Sequence, residues 1–451
     1  MRKRKINKRA GYISVVMSTL LLAGCGTPVK EPTAEVVEEQ VTTMGDVIPT
    51  ESETPIEREA TTKGEVPTES KIPAAAADFS KYVYQFAHTY MKTANGNETY
   101  VFSPYSFCGA LGMINNGATG QTREEIETVL GIHDMDSFNT SYQLFSNQNL
   151  GNGSTFQTAS SIWKDEALEK LTGEDDFSKM CKEYYNADIF NVDFSEDCEE
   201  IRRDIQKWVA EKTGNFIPDY KSQIERDHRM SVLNTVYMKG TWKYPFDAAS
   251  TYEDVFYGIQ GDENVSFMKM NGKSLPYYEA NGCVAVELPY EDSSLVMRFI
   301  MAEDGSTYET WNSMSSEEQI AFLNKLGDSE PRRIKTLSIP KLDYNQKTDN
   351  LMEMFQKMGI CSLFLPDAGL DNIGEDLYVT TITQQVRLQV DEMGTEAAAV
   401  TEILMKDNCV MIEEDGVDFV ADKPFLLVLQ EKESGTILFM GNVVSIDEQE
   451  G

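Results

Sequence analysis

Apolar residues recur along the chain with two periods. In Phe79–Met91, Tyr82, Phe86 and Tyr90 share one face at helical spacing, which predicts an amphipathic helix. Ser106–Asn115 is richer in small residues and predicts a helix suited to burial. Thr122, with Glu125 three residues on, has the form of a capping box and predicts a helix start. Phe177–Tyr185 and Glu199–Thr213, the latter with Ile201, Ile205, Trp208 and Val209, continue the helical period. The later chain reads as strands. Val284–Tyr290 and Ser294–Met301 predict a paired hairpin, and Ile334–Ile339, Val386–Val390, Phe425–Gln430 and Thr436–Val444 predict four more strands. Helices first and strands after predict an α+β domain rather than a doubly wound sheet. With no repeat and no low-complexity break, residues 77–447 are expected to form one domain.

The first residues follow another pattern. Arg2, Lys3, Arg4, Lys5, Lys8 and Arg9 precede an apolar stretch, Tyr12–Leu22, too short to span a bilayer as a helix. Leu22-Ala23-Gly24-Cys25 then has the form of a bacterial lipobox. Residues 1–24 are therefore expected to be a lipoprotein signal peptide. Cys25 is the expected lipidation site of an exported chain, held to the bacterial cell surface or envelope by lipid alone. Residues 25–76 are dominated by Glu, Thr, Pro and Val and lack aromatics, so they are expected to form a disordered acidic tether.

The net charge of −34 argues against nucleic acid and against docking on an anionic membrane. Six cysteines follow Cys25, with no CxxC, and export leaves their pairing open. The three histidines, His88, His133 and His228, stand at no metal-ligand spacing, so neither metal nor cofactor is expected. No GxSxG elbow appears, and the chain is not expected to be an enzyme.

A set of ordered motifs then stands out. Val101-Phe102-Ser103-Pro104-Tyr105-Ser106 and Gly117-Ala118-Thr119-Gly120-Gln121-Thr122 come first. Asn234-Thr235-Val236-Tyr237-Met238-Lys239-Gly240-Thr241-Trp242 and Glu287-Leu288-Pro289-Tyr290 follow. Val390-Asp391-Glu392-Met393-Gly394-Thr395-Glu396-Ala397-Ala398-Ala399 and Phe419-Val420-Ala421-Asp422-Lys423-Pro424-Phe425-Leu426 complete the series. In this order the chain resembles the serpins. The resemblance implies three β-sheets, about nine helices and an exposed reactive loop. It implies a monomer that inhibits a serine or cysteine protease irreversibly: the protease cuts the loop, which inserts as a strand into the central sheet. The alternative is a non-inhibitory relative acting as a surface binding or carrier protein.

Insertion requires alternate loop residues to enter the core. From Thr395 the inward set is Thr395, Ala397, Ala399, Thr401, Ile403 and Met405, none charged, whereas Glu396, Glu402 and Lys406 all fall on the other parity. Glu392, Gly394, Thr395 and Ala397, Ala398, Ala399 form the implied hinge. The family's shutter residues match Ser103, Ser106 and Asn234, with Gln384 where a histidine is usual, and Trp242 matches the tryptophan at the breach. Family spacing places the reactive bond at Asn408–Cys409, with cleavage after Met405 or Lys406 as alternatives.

Overall fold

The structure, a computed structural model, describes residues 78–151, 154–168, 175–348, 351–380, 382–395 and 415–446. The first helix, α1 (Phe79–Thr93), buries Phe79, Tyr82, Val83, Phe86 and Tyr90 along one face. α2 (Pro104–Gly117) opens where Ser103 Oγ accepts from the Ser106 amide and where Pro104 lacks only an N–H that would have gone unused. Seven more α-helices follow among the described residues: α3 (Gly120–Leu130), α4 (Met135–Ser146), α5 (Asp176–Tyr185), α6 (Phe194–Lys212), α7 (Thr307–Ser313), α8 (Ser316–Gly327) and α9 (Met352–Met358).

Two expected helix starts are corrected. The capping box at Thr122 does not form. α3 begins earlier, Thr122 is buried inside it, and Glu125 accepts from the Cys361 and Ser362 amides at 2.8 and 2.7 Å. Two distant amides have replaced the local cap. α6 begins at Phe194 instead of Glu199, because Asp193 caps it through the Ser195 and Glu196 amides.

Sixteen strands build three sheets among the described residues. The first is antiparallel in the order β1 (Tyr100–Phe102), β16 (Ile437–Val443), β15 (Phe425–Glu431), β9 (Leu295–Ala302), β8 (Cys283–Pro289), β7 (Tyr277–Ala280). Its β8–β9 pair is the expected hairpin. The second runs β14 (Val417–Val420), β10 (Arg332–Pro340), β6 (Gly261–Leu275), β5 (Tyr252–Gly258). The third runs β11 (Leu342–Thr348), β12 (Gln384–Val390), β13 (Gly394–Thr395), β4 (Met230–Thr241), β2 (Ser154–Asp165), β3 (Asp188–Val192). The division into helices first and strands after is thus too simple, since β2 and β4 lie in the first half. Their sequences mix Ser, Thr and Asn with apolar residues instead of alternating cleanly.

The main hydrophobic core joins α1–α5 to the sheets. A second cluster, which includes Trp163, Phe194, Ile201, Ile205, Trp208 and Val209, fixes α6 across β2–β4. β4 therefore has α2 against it as well as α6. β4 and β12 both pair with β13 at one end. Beyond Thr395 no ladder joins them among the described residues, and a cavity of about 240 Å³ lies between them, lined by both.

Candidate functional site

The open seam between β4 and β12 is entered from one end by residues 391–395. Asp391 Oδ1 accepts from the Met393 and Gly394 amides at 2.8 and 3.1 Å, which folds a tight turn. Gly394 then pairs with Thr241, and Thr395 with Gly240 on one side and Val390 on the other. A Cβ on Gly394 would sit 1.9 Å from the Gly240 carbonyl oxygen, so only glycine fits.

Thr395 is 2% exposed, and its hydroxyl meets the Tyr290 hydroxyl at 2.5 Å. Burial pushes the Tyr290 phenol well above its ordinary value, so it stays protonated. Tyr290 stacks on Trp242 at 4.5 Å. Trp242 donates its amide to the Met393 carbonyl at 2.8 Å and its ring N–H to the Asp391 carbonyl at 2.9 Å. Glu392 accepts from Thr251 Oγ1 at 2.7 Å and pairs with Lys341 Nζ at 2.9 Å. Burial alone would raise the Glu392 carboxyl, but these two partners outweigh it and hold it below the usual range.

Midway along the seam, Ser103, Ser106, Asn234 and Gln384 come together. Ser103 Oγ donates to the Leu438 carbonyl at 2.7 Å. Gln384, on β12, accepts from the Ser103 amide at 3.1 Å and donates to the Ser103 carbonyl at 3.3 Å. From the other side, the Asn234 carbonyl on β4 accepts from Ser106 Oγ at 3.2 Å, and Asn234 Nδ2 donates to Ser160 Oγ at 2.9 Å and Tyr142 OH at 3.2 Å. Each wall is thus tied to the N-terminus of α2. Asn234 Oδ1, Thr383 Oγ1, Gln385 Oε1 and Arg387 Nε are buried along the seam without partners among the described residues. Such atoms carry a desolvation cost that a further polar neighbour would relieve.

The walls also have a parity. Val386, Leu388 and Val390 are buried on β12; on β4 Tyr237 is buried on the other face and Met238 on this one. Thr395, opposite Val390 and Gly240, lies on that face.

Sequence reasoning assigned no role to Tyr290, Asp391, Lys341, Thr251, Tyr142 or Ser160. Tyr290 could have been found, because it ends the Glu-Leu-Pro-Tyr motif. Asp391 could have been too, since it lies in the Val390–Ala399 motif and caps its own turn, whereas Lys341, Thr251, Tyr142 and Ser160 depend on contacts across the fold. Ala397, Ala398, Ala399, Met405, Lys406, Asn408, Cys409 and Cys25 lie outside the described residues. Cys108, Cys181, Cys198 and Cys283 are buried free thiols, and Cys361 is an exposed one. Burial raises the Cys108 thiol well above its ordinary value, which suits packing rather than reactivity. No metal-binding cluster occurs among the described residues.

A family profile described as Serpin (serine protease inhibitor) matches residues 76–446. An uncharacterized serpin-like protein of Thermococcus kodakarensis is 31% identical over 362 residues, covering 79% of this chain and 83% of that one. Intracellular coagulation inhibitor 1 of Tachypleus tridentatus is 30% identical over 374 residues, covering 79% and 87%. In fold, the chain is similar to native tengpin, a thermophilic serpin, with a TM-score of 0.69 at 23% identity over 85% of this chain and 96% of that one. It is equally similar to human thyroxine-binding globulin, with a TM-score of 0.71 at 22% identity over 83% and 100%.

Proposed function

The chain belongs to the serpin family, and from that premise we propose that it is an irreversible suicide inhibitor of a serine or cysteine protease. Members of this family are in general protease inhibitors rather than catalysts. In the proposed reaction the protease nucleophile attacks a loop carbonyl. The peptide bond breaks, its nitrogen leaves as a free amine, and the loop carbonyl remains acylated to the protease. The freed strand then inserts between β4 and β12 before water can hydrolyse the acyl bond.

The observation that carries this reading is β13, two residues already seated between β4 and β12 in a defined register. Insertion continued in that register would set Ala397 opposite Met238 and Leu388, and Ala399 opposite Val236 and Val386. Thr401 would come between Asn234 and Gln384, where the Asn234 side-chain oxygen lacks a partner. Glu396 and Glu402 would take the other face. The uncharged parity of the loop therefore agrees with the buried parity of β12.

We also propose export with lipidation at Cys25, supported by the basic, apolar and lipobox segments in their required order, with the inhibitory domain on an acidic tether. The proposed reactive bond is Asn408–Cys409, or the bond after Met405 or Lys406.

The test is incubation of the full chain in detergent with a panel of serine and cysteine proteases. We expect a complex that survives boiling in detergent, and mass spectrometry of the released peptide to locate the bond. Thr395→Arg would carry a guanidinium into the buried site beside Tyr290, at a cost of at least several kcal/mol. It should abolish the complex while the loop is still cut. Cleavage without any complex across the panel would overturn the inhibitor and favour a binding or carrier protein.

A further inference from the structure

Although the chain carries 74 acidic and 40 basic residues, its acidity is interrupted beside the loop. Residues 235–246, 264–277 and 331–341 contain Lys239, Lys243, Lys269, Lys273, Arg332, Arg333, Lys335 and Lys341 and not one Asp or Glu. The fold gathers these segments. β6 and β10 pair from Arg332↔Leu275 to Pro340↔Phe267, with Lys273 opposite Ile334 and Lys269 opposite Ser338. Lys269 and Lys273, four residues apart on one strand, therefore share a face. The ammonium groups of Lys243 and Lys273 lie 5.9 and 5.3 Å from the centre of one ring, Tyr244, and that of Lys269 lies 5.6 Å from Tyr252. Lys243 and Lys273 are exposed. Lys243, Lys269 and Lys273 pair with no carboxylate among the described residues, whereas Lys341 is engaged by Glu392 and Lys335 by Asp418 at 3.9 Å.

The position of this stripe matters as much as its charge. Lys243 follows Trp242, whose amide holds Met393 just before the chain leaves β13. At the other departure, Gly416 lies against the backbone of Arg333 and the side chain of Lys335. The basic stripe thus reaches both points where the bait segment joins the body. We propose that it is a secondary docking surface for an acidic face of the same protease that takes the loop, which rests on the inhibitor reading above. A protein partner fits better than an extended polyanion. A protease touches a bounded area next to the loop, whereas a long anionic polymer would run onto a surface carrying the rest of a net charge of −34. The local field would also orient an approaching acidic protease toward the loop end of an otherwise repelling molecule.

The test compares the full chain with K243E/K269E/K273E against whichever proteases of the panel give the covalent complex, including an anionic and a cationic trypsin. For proteases with acidic surfaces, the second-order rate of complex formation should fall about tenfold or more at low ionic strength, and the difference should shrink as salt is added. Stoichiometry and melting temperature should not change, and a cationic protease should react as fast or faster. An unchanged rate with acidic proteases, or an equal loss with cationic ones, overturns the docking surface and leaves the inhibitor standing. So does salt-sensitive binding of dextran sulfate that the substitutions abolish while every protease rate stays the same. If no protease forms a complex, docking surface and inhibitor fall together.

Discussion

The first and third sheets have six strands each, yet they are built in opposite ways. In the first, every residue of β15 and β16 is buried, and each strand is laddered to the next from β1 to β7, with one register shift at Leu429–Gln430. Its buried Arg298 is answered there by Glu287 at 3.0 and 2.8 Å and by Gln430. In the third, β4 is half-buried along most of its length, a two-residue strand completes the order, and side-chain bonds at the start of α2, from Gln384 on one wall and from Ser106 to the other, join what the backbone leaves apart. The contrast separates two tasks. A sheet closed by backbone ladders has nowhere to put another strand. A sheet held across one seam by a few side-chain bonds can exchange them for two full ladders, each new bond worth about 0.5–1.5 kcal/mol. On the proposed mechanism the first sheet is the frame and the third is the moving part.

The contrast can be broken first in the frame. Arg298→Met should leave Glu287, buried at 1% exposure, with Lys432 as its charged partner, and should destabilise the chain by about 3 kcal/mol. Thermal unfolding should show this loss, with the yield of covalent complex per cleaved loop unchanged. An unaltered melting temperature would mean that the pair does not hold the frame.

A smaller effect is expected at the seam. Gln384→Ala should remove the side-chain bonds to Ser103 and leave the Ser103 amide unsatisfied, at a cost of about 1–3 kcal/mol to the native form. The inserted form should be affected less. The measurable result is a faster spontaneous loss of inhibitory activity during storage, accompanied by a rise in melting temperature. Loss of stability in native and cleaved forms alike would place Gln384 in the frame instead.

The smallest effect concerns pH at the entry. The folded Glu392 carboxyl lies below its ordinary value of 4.5, so its contacts with Lys341 and Thr251 contribute stability above that value. The contribution is lost as pH falls below 4.5 through the depressed value. The protection of the Met393, Gly394 and Thr395 amides, taken relative to the intrinsic exchange rate at each pH, should therefore fall on acidification across that window, and Glu392→Gln should flatten the response. Equal acid sensitivity in the variant would exclude Glu392 as the cause.

These differences also govern what could be read from the sequence. The centre of the frame was legible because its strands are continuous apolar runs: β8, β9, β15 and β16 fall within a residue or two of expectation, whereas the short edge strands β1 and β7 were not foreseen. Ser103, Ser106, Asn234 and Gln384 were legible as motif positions, and the fold brings them together. β2 and β4 were not, because a strand with polar duties on a partly covered face loses its alternation. Thr122 and Glu125 misled because the local cap competed with a partner 236 residues away. Arg298 gave no signal either, since an arginine inside Val296-Met297-Arg298-Phe299-Ile300 reveals its partner only once β8 lies beside β9.

The turn that delivers Gly394 and Thr395 has a kinetic consequence. Starting a strand is harder than lengthening one, because the first residues must be fixed before ladder bonds compensate for their lost freedom. Here that initiation is complete before any bond is cut: Asp391 folds the turn, Trp242 grips it from two sides, and Thr395 is already in register. On the proposed mechanism, insertion is then growth from an existing seed. Its outcome is a race between a zipper that starts closed at the top and the hydrolysis of a single ester or thioester.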